Sequence, residues 1–110
     1  MHLVIDDFGG LFRWRIEQRL ATGADVVAQS STMYRDRGTC HRAVRQLAGT
    51  AIVVSQRSDG TWRWMADDED GHPLAESAVV FPDATSCGHS LADVRRFAAT
   101  LAPPRAHAAR

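Results

Sequence analysis

Leu11-Phe12-Arg13-Trp14-Arg15-Ile16 returns fifty residues later as Thr61-Trp62-Arg63-Trp64-Met65-Ala66. In each copy large apolar and charged side chains alternate. Phe12, Trp14 and Ile16 fall on one side and Arg13, Arg15 and Glu17 on the other, as do Trp62, Trp64 and Ala66 against Arg63, Met65 and Asp67. A period of two is that of a β-strand with one buried and one wet face. The echo predicts two equivalent strands, each carrying its tryptophan into the core and its arginines to the surface.

Working outward, the frame extends across the chain. His2-Leu3-Val4-Ile5 aligns with Ile52-Val53-Val54-Ser55 at the same offset of fifty, and Gly10 with Gly60. Through the middle the offset drops to forty-seven. There Ala28-Gln29-Ser30 matches Ala75-Glu76-Ser77, Tyr34 matches Phe81, Asp36 matches Asp83 and Cys40 matches Cys87. It returns to fifty where Val44 to Ala48 meets Val94 to Ala98. Each unit reads as three strands and a helix. The first strands, His2 to Asp6 and Ile52 to Gln56, end in turn clusters, and Asp59-Gly60 supplies the positive φ of a tight hairpin. The third strands are Val26 to Ser30 and Leu74 to Ser77, reached through the loops Ala21 to Asp25 and Asp67 to Gly71. Asp36 and Asp83 suit helix N-caps, and the helices run to about Ala48 and Leu101, with Cys40, Val44 and Leu47, and Cys87, Leu91, Val94 and Phe97, as apolar stripes.

These readings predict an α+β, two-layer protein of tandem duplicated β-β-β-α units, its two helices packed on antiparallel sheet. Residues 1–101 form a single compact domain of two repeats, 1–50 and 51–101. Pro103-Pro104 ends the last helix, and 102–110 is expected to be a flexible tail.

With the units laid out, the chain resembles the YegP-like family, small bacterial and archaeal proteins with one or two copies of such a unit. The resemblance rests on the aromatic-Arg-Trp strands (Phe12-Arg13-Trp14-Arg15 and Trp62-Arg63-Trp64) and on Ala28 to Ser30 and Ala75 to Ser77. It includes Tyr34 and Phe81, and Val44 followed by Leu47. It implies a three-stranded sheet plus helix per unit, paired by tandem duplication or, in single-unit members, by dimerisation. It implies no active site, because the family has no established biochemical function. This chain departs from the family pattern in its longer Gly23 loop and in carrying no lysine.

Composition narrows the function classes. A chain of 110 residues can bury roughly two thirds of its unfolded surface, so a core without staples is feasible. The formal net charge is zero, which argues against a protein built mainly to neutralise phosphates or lie on an anionic membrane. All basic residues are arginine, a bias expected of a GC-rich genome. No secretory signal or run of roughly 20 apolar residues is present, so a soluble cytoplasmic protein is expected. Two cysteines, Cys40 and Cys87, are too few for a disulfide framework and suit buried apolar positions.

Candidate chemistry is sparse. Cys40, His41, Cys87 and His89 have zinc-site stoichiometry, yet adjacent helical residues point about 100° apart, so no metal is expected. Ser30, Ser31 and Ser77 lack a nucleophile elbow and a recurring histidine. Asp67 to Asp70 lacks calcium-loop spacing and reads as a solvated turn. No enzyme and no cofactor are expected. The tentative partner surface is Arg13, Arg15 and Arg63 on the outer sheet face, where sheet modules can bind single strands. Residues 1 to 50 hold seven arginines against five acids and residues 51 to 100 hold four against eight, so only the first half is expected to attract an anion. The expected function is a non-enzymatic interaction or self-association module, with an arginine-dependent binder of nucleic acid or another anion as the alternative. Open sheet edges would carry His2, Val4, Ile52 and Val54 outward if Leu3 and Val53 face in.

Overall fold

The computed structural model describes residues 1–101; the expected flexible tail at 102–110 lies outside them. Strands β1 (His2–Asp7), β2 (Phe12–Leu20) and β3 (Gly23–Ser30) lead into helix α1 (Arg37–Gln46). Strands β4 (Ile52–Gln56), β5 (Trp62–Asp67) and β6 (Pro73–Ser77) lead into helix α2 (Ala84–Thr100). All six strands form one antiparallel sheet in the order β1-β2-β3-β6-β5-β4. The third strands of the two units join it, with Ala28 opposite Ser77 and Ser30 opposite Ala75. Both helices cover one face, which gives the α+β two-layer architecture.

The alternation in β2 and β5 decides which face that is. Trp14, Ile16 and Trp64 are fully buried, Ala66 nearly so, and they pack with Val44, Leu47 and Val94 from the helices. Cys40 and Cys87 fill the same layer as free thiols. The helix starts follow from their caps: Asp36 accepts from the Thr39 N–H at 2.7 Å and Asp83 from the Ser86 N–H at 2.7 Å, satisfying first-turn donors that lack helical partners. Gly60 takes φ 90° in the β4–β5 turn, the conformation that an L side chain resists.

Each unit bends its sheet at the same place. Ile16 pairs with Ala28 but Glu17 with Val26, leaving Val27 as an extra residue. Ala66 pairs with Ala75 but Asp67 with Pro73, leaving Leu74 extra. A bulge re-aims the side chain beside it, and Leu74 and Ala75 are both buried.

Three expectations are corrected. The Ala21–Asp25 loop is not a loop: β2 and β3 extend until Leu20 pairs with Gly23, so the extra residues of the first unit lengthen a hairpin. Helix α1 stops at Gln46, short of Ala48. The first strands align at forty-nine, because Leu3 pairs with Ile16 and Ile52 with Ala66, their equivalents. The second hairpin turn holds one residue more, and a slip of one exchanges the faces. Val53 therefore points out, at 61% exposure, while Ile52 and Val54 pack on the core with Leu3 and Ile5.

Candidate interaction surface

The outer face of the sheet, away from the helices, receives every second side chain of the strands. Arg13, Arg15 and Arg63 all emerge there, half-buried, as the alternation requires. The structure does not leave them alike. Arg15 pairs with Asp6 and, at 2.7 Å, with Glu17, which also meets His2 at 3.0 Å. Hydrogen bonding to Arg15 holds the Glu17 carboxyl below the usual carboxylate range. Arg13 stands opposite Asp6 across the β1–β2 ladder. Arg63 reaches Glu76 only at 3.5 Å, and its Nε is buried without a partner.

Charge on this face is thus distributed differently from the halves of the sequence. The arginines of the first unit face acids, and in the second Arg63 faces Glu76 and Arg57 lies near Asp59. Arg57 and Arg63 share an open groove of about 510 Å³ with a single carboxylate, Glu76, beside exposed Val79 and Val80. This groove lies in the half with negative total charge. Arg57 was not singled out in the sequence because it belongs to a turn and not to the repeated strand.

Next to that groove the face turns apolar. Val53 on β4 pairs directly with Met65 on β5, and both are exposed, Met65 at 40%. Strand β4 is also an edge of the sheet and carries no charged residue and no proline over Ile52–Gln56. Its open side can be identified. Trp62 exchanges both backbone bonds with Phe81, at 2.7 and 2.8 Å, so it faces away from β4. Its partner Gln56 must likewise face away from β5, and with it Val54 and Ile52, because antiparallel residues alternate in bonding direction. Among the described residues no strand pairs on that side of β4, so those three present their N–H and C=O groups to an open edge.

The remaining polar residues are used inside the fold. The Ser30 and Ser77 hydroxyls, both buried, accept from the backbone N–H of Trp14 and Trp64, each at 3.3 Å. Burial pushes the Cys40 thiol up to about 11 and raises that of Cys87, so both stay protonated near neutral pH. Among the described residues, metal-ligand atoms converge within 4.8 Å only at Asp68, Asp70 and His72, not at the cysteines. The Asp68 carboxylate there accepts from the Asp70 and His72 N–H groups at 2.9 Å each, which closes the turn. Among the described residues the buried indole N–H groups of Trp14 and Trp64 have no hydrogen-bond partner. Among the described residues no helix is long and apolar enough to cross a membrane.

These features define a two-layer α+β protein of paired βββα units with an open outer face. The solution NMR structure of YegP from E. coli, a protein of unknown function, superposes with a TM-score of 0.63 over 81% of this chain and 77% of that one, at 13% sequence identity. The chain therefore has a YegP-like fold. It matches no protein-family model and no curated protein sequence.

Proposed function

We propose that the protein is a small, non-enzymatic association module of the cytoplasm, which arose by tandem duplication of one βββα unit and acts through the β4 end of its sheet. The observation that carries this reading is the uncharged edge strand β4 beside the exposed Val53–Met65 pair. Natural sheets guard their edges with charges, prolines or covering segments, and β4 has neither of the first two. Exposed backbone groups next to apolar side chains suit strand addition, in which the main chain supplies affinity and the flanking side chains selectivity. The two units support duplication through their matching caps, bulges and serine–tryptophan bonds.

The test is affinity capture from the native host with three baits: wild type, Val53→Lys, and Arg13→Glu with Arg15→Glu. Partners retained by the arginine variant and lost by Val53→Lys support the reading. Loss with the arginine variant alone contradicts it.

A second reading, a binder of small anions or nucleic acid, is favoured by Arg57 and Arg63 meeting around one carboxylate. It predicts oligonucleotide binding that weakens with salt and is abolished by Arg57→Glu with Arg63→Glu.

A further inference from the structure

We infer that the occupant of the β4 edge is a second copy of this chain, added antiparallel about a twofold axis through Val54, so that one sheet runs through both copies. This rests on the association reading and names its partner. In that register Val54 opposes the second Val54 and Ile52 opposes Gln56. These are the residues whose N–H and C=O groups face the open edge, and each opposed pair can exchange both bonds.

The side chains fit the same register. On the outer face Val53 meets Ser55 of the other copy and lies diagonal to the other Val53, within cross-strand reach. The exposed Val53–Met65 pairs of the two copies then lie on the same face, one on each side of the axis. On the core side Val54 faces the second Val54, and Ile52 lies opposite Gln56 and diagonal to that Val54. Electrostatics allows the pairing because β4 holds no charge and the whole chain has a formal net charge of zero, so two copies do not repel.

The other edge carries charge. Strand β1 ends in Asp6 and Asp7. Pairing two β1 strands about Ile5 would set Asp7 opposite Leu3 and Asp6 opposite Val4, placing carboxylates against apolar side chains. Pairing β1 with β4 of another copy would be head-to-tail, which grows an open polymer instead of closing a dimer. An isologous β4 contact closes at two copies. A contact made mainly by one short strand sits at the small end of protein interfaces, so it is reversible and concentration-dependent.

Sedimentation equilibrium of the full chain over a wide concentration range tests this. The expected result is a reversible monomer–dimer equilibrium with no larger species. Val53→Lys and Val53→Glu should each weaken the dimer roughly fivefold or more, through lost apolar contact and like charges near the axis. An equimolar mixture of the two variants should recover it as a heterodimer. That recovery separates a role in the contact from a fault in folding, and the exposure of Val53 leaves the core of each variant intact. A wild type that remains monomeric throughout, one that polymerises, or a Val53→Lys protein that dimerises like wild type would overturn the inference. If the wild type is monomeric but captures a host partner in a Val53-dependent way, the second-copy inference falls while the association reading stands.

Discussion

Removing one buried hydroxyl from each unit probes the fold where its two halves are most alike. Ser30 is 4% exposed and Ser77 7%, and each accepts from the N–H of the tryptophan on the neighbouring strand. In Ser30→Ala or Ser77→Ala that N–H is left buried without an acceptor. Such an orphan costs about 1–3 kcal/mol, whereas the volume lost is a single oxygen. With a urea m-value of about 1.5 kcal/mol per molar, the midpoint should fall by about 0.7–2 M. The assay is equilibrium urea unfolding followed by tryptophan fluorescence, with Ser31→Ala as control, since Ser31 is exposed beside Ser30. The two variants should lose similar stability and the control almost none. A midpoint within about 0.2 M of wild type for either serine variant would refute the reasoning, because it would mean that the bond is absent or replaced.

The tryptophans themselves give a larger effect: Trp14→Ala or Trp64→Ala should each cost about 3–5 kcal/mol, a large fraction of a domain's roughly 5–15 kcal/mol, and an unchanged urea midpoint would show that the wrong face is buried. Acidification should act through the caps. Hydrogen bonds from the Thr39 and Ser86 backbones hold the Asp36 and Asp83 carboxyls below the usual aspartate range. Because the folded values are depressed, their contribution is complete above the unfolded value and disappears as pH falls through the folded one. Thermal melts should therefore show stability dropping as pH falls below about 4, and Asp36→Asn with Asp83→Asn should flatten that drop, since asparagine caps without ionising. An equally steep loss in the double variant would assign the acid sensitivity to other carboxylates.

Much of the fold was legible because its decisive signals are local. The alternation at Phe12–Ile16 and Trp62–Ala66 placed the tryptophans inside, Asp59-Gly60 marked a hairpin, and Asp36 and Asp83 marked helix starts. The errors arose where one residue matters or where the contact is distant. A single extra residue in the second hairpin turn shifted the first strands, and period two turned that shift into exchanged faces for Val53 and Val54. The extension of β2 and β3 through Gln18-Arg19 and Ala24-Asp25 carries no apolar alternation, since both faces are wet there. The β3–β6 pairing joins residues 45 to 49 apart and leaves no local trace. Charge totals do not describe positions: four of the eight acids of the second half sit in the Asp67–Asp70 turn, while Asp59 lies near Arg57 and Glu76 reaches Arg63. Of the candidate surface, the sequence indicated the arginines and an open apolar edge, but the strand pairing shows Arg15 engaged by Asp6 and Glu17 and moves the apolar exposure to Val53.

Residue-resolved amide exchange measured at low and high protein concentration tests the edge most directly. The N–H groups of Val53 and Ser55 are directed to β5 and should be protected at both concentrations. Those of Ile52, Val54 and Gln56 should exchange rapidly when dilute and become protected when concentrated. Equal exchange of Ile52, Val54 and Gln56 at both concentrations would contradict the account.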